Sequence, residues 1–383
     1  MRKNSSKLPE IQYLEMKNFH QFAIENGIAF VTYKLPELEE VTTLIQWKTE
    51  PVALTSLKDL EGKQGFVFAP FNLKSKHPIR LIEPDLITSG DVDELFFSQY
   101  NHSLSFLKPA VSSLESVPAE TSREQYLVGV DEFREKMKLE KLDKLVLSRI
   151  SIEAKPNDFN PSLFLKTLQD SYPDAFVFMI FIVDTGLWIG ASPEPLLEIK
   201  NNVVSTVSLA GTRLYNENSK HVDWGAKELE EQEIVTGYID EIFNNFNVKQ
   251  YSKQGPQTQQ AGAVEHLLTR FSFQQNELQG DIIDLIAALH PTPSVCGLPK
   301  DEALQVIINS EKHDREYYTG FLGPFNLNNR YSLFVNLRCM KVGDDQLLFF
   351  LGAGITAGSV PEKEWEETNS KKRTLMSIVE TLN

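Results

Sequence analysis

The sequence predicts a mixed α and β fold class, and three observations carry that expectation. Runs such as KLVLSRISIEA (residues 144–154) combine β-branched residues with the two-residue alternation of a strand. Runs such as SREQYLVGVDEFREKMKLEK (122–141) put Tyr126, Val130, Phe133 and Met137 at helical spacing. Hydrophobic residues make up 41% of the 383, with 24 phenylalanines, enough for a substantial core in one large domain or two modest ones.

The formal net charge of −15 argues against broad binding to nucleic acid or anionic membranes. An anionic ligand would therefore need a local cationic pocket. The two cysteines, Cys296 and Cys339, imply no disulfide framework, and neither stands in a metal-ligand spacing such as CxxC. The opening MRKNSSKLPEIQYLEMKNF has a basic start with no apolar run behind it, so no signal peptide is expected. No uninterrupted apolar stretch approaches ~18 residues, so no membrane span is expected either. A soluble cytoplasmic monomer follows as the expectation.

Along the chain, FHQFAIENG reads as a short helix ending at Gly27, and IAFVTYKLP and GFVFAPF read as short strands. Residues 71–120, with prolines, serines and SGDVDE, read as loops and a possible boundary, which divides the chain into 1–120 and 121–383. Lys144 opens the strand after the 122–141 helix and shares a face with Val146, Ser148 and Ile150. The plain reading is an exposed lysine at a strand entrance; buried, it would be a general base. AFVFMIFIVDTGLWIGASPEPLLEI reads as a hairpin turned at Asp184-Thr185-Gly186 and broken by GASPE. There Glu194 is either a turn acid or a catalytic one. VVSTVSLAGTR is a strand running into a glycine turn, with backbone access at Gly211 and Arg213 as a nearby cation or a surface charge.

GAKELEEQEIVTGYIDEIFNNFN is an amphipathic helix with Glu228 and Glu231 at i, i+3 on its first turns. YSKQGPQTQQAGAVEH reads as a polar surface loop. In HPTPSVCGLPKDEALQVI, two prolines hold His290 on a stiff loop ahead of a helix. EYYTGFLGPFN reads as a strand, and RYSLFVNLRCMKVGDDQLLFFLGAG as a strand and hairpin turned at Gly343-Asp344-Asp345. Arg338 falls in mid-strand among apolar neighbours, where it should need an anionic partner.

The stretch LGAGITAGSVPEKEWEETNSK (351–371) reads as a Gly-rich turn feeding an acidic helix. Gly352 and Gly354 allow backbone N–H groups to approach an anion. Ser359 and Glu362 have capping-box spacing, and Glu364, Glu367 and Lys371 share a helix face. The plain reading is a solvated helix end. The sharper one is a Mg²⁺ site fed from two helices that each begin with paired carboxylates, since Mg²⁺ takes few carboxylates plus water and substrate oxygens.

Eight stretches in order, KLVLSR, GASPE, LAGTR, the K-E-x-x-E helix start, HPTP, YYTGFLG, LRC and GAGI…GSxPExEWxET…K, resemble the chorismate-utilising enzymes over roughly residues 123–383. The resemblance implies a large α+β fold, a β-sandwich-like core of many strands with peripheral helices and the site in a cleft. It makes residues 1–120 a divergent N-terminal part of that fold and 121–383 the chorismate-binding core. Aminodeoxychorismate synthases of this family carry a nucleophilic lysine in PIKGT; here Leu209-Ala210-Gly211-Thr212 stands in its place. Ala210 together with Lys144 resembles the water-using members. The resemblance implies Lys144 as general base, Glu194 as general acid, and Glu231 and Glu367 as Mg²⁺ ligands, with Glu228 and Glu364 reaching the metal directly or through water. It likewise implies Gly211, His290, Arg338, Gly352 and Lys371 as substrate-binding. One departure stands out, Glu231-Gln232 where the family usually has Glu–His. The implied activity is that of an isochorismate synthase on chorismate, in menaquinone or siderophore biosynthesis. The alternatives are a salicylate synthase that also eliminates pyruvate, and a catalytically silent homologue.

Overall fold

The computed structural model describes residues 19–90, 92, 118–214, 223–261 and 264–382. Its first helix, α1 (Phe19–Glu25), is followed by Gly27 at φ 69, the left-handed conformation that glycine adopts without strain. Six short strands follow: β1 (Ala29–Lys34), β2 (Val41–Gln46), β3 (Val52–Leu54), β4 (Gly65–Ala69), β5 (Ile79–Ile82) and β6 (Leu86–Ser89). Helix α2 (Arg123–Glu140) starts at a Ser122–Gln125 capping box and buries Tyr126, Val130, Phe133 and Met137, the stripe its sequence predicts. Then come β7 (Lys144–Ala154), α3 (Pro161–Ser171), β8 (Phe176–Ile182), β9 (Gly186–Ser192), β10 (Pro195–Lys200) and β11 (Val203–Leu214). Helix α4 (Ala226–Asn245) leads to the hairpin of β12 (Ser252–Ala261) and β13 (Val264–Gln274), then α5 (Ile282–Leu289), β14 (Gly297–Leu298) and α6 (Lys300–Ser310). The chain closes with β15 (Phe321–Phe325), β16 (Tyr331–Val335), β17 (Cys339–Val342), β18 (Gln346–Ile355) and α7 (Pro361–Thr381).

The strands form two nine-stranded antiparallel sheets, ordered β14-β7-β18-β17-β9-β8-β1-β2-β6 and β12-β13-β11-β10-β16-β15-β4-β5-β3. Their facing sides share one aromatic core. Phe176 of β8 stacks on Phe334 of β16 at 4.3 Å, and Trp188 of β9 meets Phe68 of β4 edge-on at 6.0 Å. On the outer face of the first sheet, α1, α3 and α7 close a second core around Phe164, Leu168 and Leu375. On the outer face of the other sheet, α4 and α5 close a third around Phe243, Ile286 and Phe271. The result is the expected α+β sandwich with peripheral helices.

Several local expectations are corrected. Residues 71–120 are not all loop: β5 and β6 lie at 79–89, and β1–β6 belong to the same two sheets as the strands after residue 118. The rest of the SGDVDE stretch, like the N-terminal segment read for a signal peptide, lies largely outside the described residues. The polar stretch after Tyr251 is edge strand β12, whose solvent-facing side needs no apolar residues. Leu351–Ile355 is not a turn but the end of β18, where Gly352 and Gly354 pair opposite Ser148 and Val146 of β7. No capping box forms at 359–362. Ser359 accepts from the Thr356 N–H instead, and α7 starts at Pro361 behind Val360. Arg338 is not in mid-strand. The chain leaves the second sheet at Val335 and joins the first at Cys339, with Arg338 in the crossing at φ 47. Cys296 and Cys339 are free and buried, and no helix among the described residues is long and apolar enough to cross a membrane.

Candidate active site

The crossing between the sheets, the first residue of β7 and the ends of β9, β11 and β18 converge on one cavity. Eight of the residues singled out from the sequence line it: Lys144, Glu194, Gly211, Glu231, Arg338, Gly352, Glu367 and Lys371. Lys144 is 1% exposed, which excludes the solvent-facing reading. Its Nζ donates to Glu231 Oε1 at 2.5 Å. Glycine at 354 makes room for this pair, because a Cβ there would lie 3.1 Å from Lys144 Cε and 3.2 Å from Glu231 Oε1. Gly352 does the same for Tyr318, whose hydroxyl would stand 2.9 Å from an added Cβ. These glycines supply space, not unusual backbone angles.

Glu194 sits in the break between β9 and β10, flanked by Pro193 and Pro195, and is fully buried. Its carbonyl accepts from the Val335 N–H at 2.9 Å, which ties the break to β16. Its Oε1 accepts from Thr292 Oγ1 at 3.0 Å and Ser294 Oγ at 2.5 Å. Burial raises its carboxyl above the ordinary range, and the two hydroxyls oppose that rise.

Arg338 is half-buried, and burial pulls its guanidinium below its ordinary pKa. Among the described residues no carboxylate pairs with it. Lys371 instead bridges Glu367 Oε1 at 2.7 Å and the Gly352 carbonyl at 2.8 Å. Gly211 has φ 68 beside an irregularity in the β11–β13 pairing, where α4 packs closely enough that a Cβ would meet Glu228 Cβ at 3.1 Å.

Four of the residues singled out from the sequence do not line the cavity. The Glu228 side chain folds back toward Gly225, the N-cap of α4. Glu364 is buried beside Tyr126, whose pKa it and Glu367 help to raise after burial itself. His290 donates from Nε2 to the Phe71 carbonyl at 3.1 Å and rests edge-on against Phe321. Arg213 pairs with Glu265 at 2.7 Å and covers Trp224.

Sequence reasoning missed His266, which lies on the cavity wall. Its Nδ1 donates to the Gly211 carbonyl at 2.9 Å, and burial depresses its pKa to about 3, so the imidazole is neutral. The alternation in VEHLLTRFSFQ could have shown it on a strand rather than at a loop end. Tyr318 and Ser294 also line the cavity and were not singled out. Gln232, the departure noted in α4, is structural: its Nε2 donates to Ser208 Oγ at 2.9 Å and Thr269 Oγ1 at 3.0 Å, pinning the helix to the sheet.

The donor set suits a hard divalent cation. Glu231 and Glu367 bring carboxylate oxygens to one cavity, each within hydrogen-bond reach of a lysine Nζ, that of Lys144 and that of Lys371. No three His, Cys, Asp or Glu side chains among the described residues form a ready cage. Mg²⁺, which uses one or two carboxylates with water and substrate oxygens, fits that arrangement.

Comparison with known proteins shows the family. The family model described as chorismate binding enzyme matches residues 84–380. The vibriobactin-specific isochorismate synthase of Vibrio cholerae is 30% identical over 274 residues, 70% of this chain and 69% of that protein. The isochorismate synthase EntC of Escherichia coli K12 is 31% identical over 244 residues, 62% of each chain. Among solved structures, MenF, the menaquinone-specific isochorismate synthase of Escherichia coli, superposes with a TM-score of 0.74 at 20% identity, over 93% of this chain and 89% of that one. Anthranilate synthase component I of Streptococcus pneumoniae gives 0.65 at 17% identity, over 96% and 97%. With the family model spanning most of the sequence and the sandwich shared with these structures, the chain belongs to the chorismate-binding enzyme family.

Proposed function

We propose that this protein is an isochorismate synthase, an isomerase that converts chorismate reversibly to isochorismate with Mg²⁺. One observation carries the reading: buried Lys144 and buried Glu194 face a single cavity with Arg338, a cation that has no carboxylate partner among the described residues. Exchange of a ring hydroxyl in a dianion asks for these parts. A hydroxyl leaves poorly without a proton, water attacks poorly without a base, and each is worth about 10²–10⁴-fold. The activity of relatives at 30–31% identity supports the same reading.

Lys144 takes a proton from water as its oxygen bonds to C2. The ring double bonds shift, the C4–O bond breaks, and Glu194 delivers its proton to the departing oxygen, so one water is consumed and one released. The raised pKa of Glu194 keeps that proton available to higher pH. Ala210 leaves no amine at the turn where other family members place a nucleophilic lysine. Arg338 and Lys371 face the substrate carboxylates, and neutral His266 adds a polar wall without a further charge. Mg²⁺ held by Glu231 and Glu367 would neutralise the ring carboxylate and orient the substrate.

The test is purified protein with chorismate and Mg²⁺, with products resolved by chromatography and pyruvate followed by coupled lactate dehydrogenase. Isochorismate in a reversible mixture with chorismate, little pyruvate, loss of turnover in excess chelator and recovery on adding Mg²⁺ are expected. Stoichiometric pyruvate with fluorescent salicylate would overturn the one-step reading, and full activity in chelator would overturn the metal.

A further inference from the structure

Beneath the cavity lies a buried ion pair that the chemistry above does not use. Glu311 and Arg315, in the segment between α6 and β15, have side chains 3% and 2% exposed. The guanidinium meets the carboxylate at two points, Nε to Oε2 at 2.7 Å and Nη2 to Oε1 at 2.6 Å. Its remaining donors go to separate parts of the chain. Nη2 donates to the Val146 carbonyl at 2.7 Å, and Nη1 to the Val295 carbonyl at 2.9 Å and Thr319 Oγ1 at 3.3 Å. The carboxylate also accepts from the Ser148 N–H at 2.7 Å. Val146 lies in β7, Val295 in the loop before β14 and Thr319 in the same segment as Arg315, and all three line the catalytic cavity; Arg315 and Glu311 do not.

These attachments bear on the acid and the base together. Val146 is two residues beyond Lys144 on β7. Val295 follows Ser294, whose hydroxyl grips Glu194. Backbone pairing of this loop to β7 runs through Cys296, Gly297 and Leu298, and Arg315 extends the attachment upstream to Val295. We propose that Arg315, braced by Glu311, is a positioning residue that fixes the 292–296 loop against β7 and so sets the hydroxyl pair on Glu194 relative to Lys144. An ion pair so deeply buried is weak evidence for stability alone, because apolar residues of similar volume often serve a core as well. The planar fork can brace a carboxylate and hold two carbonyls at once, which a lysine ammonium cannot reproduce.

The inference rests on Glu194 as the acid, so its test is a double-variant cycle. Arg315→Lys keeps the charge opposite Glu311 and loses the fork. In folded protein, checked by circular dichroism and a cooperative melt, kcat should fall roughly tenfold to hundredfold while KM for chorismate stays within about twofold. In the Glu194→Gln background, measured on its residual rate, the added loss should shrink to about twofold or less. Wild-type kcat in folded Arg315→Lys, a rise in KM in place of the fall in kcat, or full additivity with Glu194→Gln overturns the proposal. If Arg315→Lys does not fold, Glu311→Gln carries the same criteria. Near wild-type turnover by Glu194→Gln would instead sink the acid assignment itself, which separates that failure from failure of the positioning role.

Discussion

Glu194 shows how one residue trades stability for chemistry. Pro193 and Pro195 interrupt the strand so that the side chain turns into the cavity, and burial then raises its pKa. Between the ordinary carboxylate pKa and the raised one, the folded protein holds a proton that the unfolded chain has released. Stability therefore falls as pH rises through that window and levels off above the raised value. Glu194→Gln has no such proton to hold. Its melting temperature relative to wild type should rise from pH 4.5 to pH 8 while turnover collapses. A constant difference across that range would show that Glu194 titrates ordinarily.

At the scale of elements, helix α7 and strand β18 divide the work of the C-terminal stretch. The helix spacing sends Glu367 and Lys371 to the cavity, whereas Glu366 points to solvent. Glu367→Gln should cut turnover by at least about tenfold and weaken Mg²⁺ binding by calorimetry, and Glu366→Gln should change either by less than about twofold. Equal effects of the two substitutions would place the metal elsewhere. In β18 the same reasoning applies to glycine: Gly352 and Gly354 look like turn formers in isolation, yet their strand partners in β7 show that their value is room for Tyr318 and for the Lys144–Glu231 pair.

Across the whole molecule, the cavity exists because two sheets are locked face to face and the chain passes between them. Phe334 of one sheet stacks on Phe176 of the other just before the crossing that carries Arg338. Phe334→Ala should cost about 3–5 kcal/mol, read as a lower urea midpoint at a similar slope. A loss below about 1 kcal/mol would mean the sheets are held mainly elsewhere.

The sequence by itself determined the elements with strong periodicity, α2 and the β8–β9 hairpin among them, because repeated local burial leaves a repeated pattern. Its ordered short motifs also determined the family, and with it Lys144, Glu194, Glu231 and Glu367 as the residues to examine. Tertiary structure decided what depends on partners distant in the chain. Lys144 could have been a surface lysine until β18 and α4 closed over it; Arg338 sits in a crossing that no local pattern announces; and β12 has no apolar face to reveal it. His290 and His266 exchange places for the same reason: the prolines around one are visible in the sequence, but only the pairing of β11 with β13 brings the other to the Gly211 carbonyl and the cavity wall. Periodicity records what a residue's own element buries, and the cavity is made where several elements end.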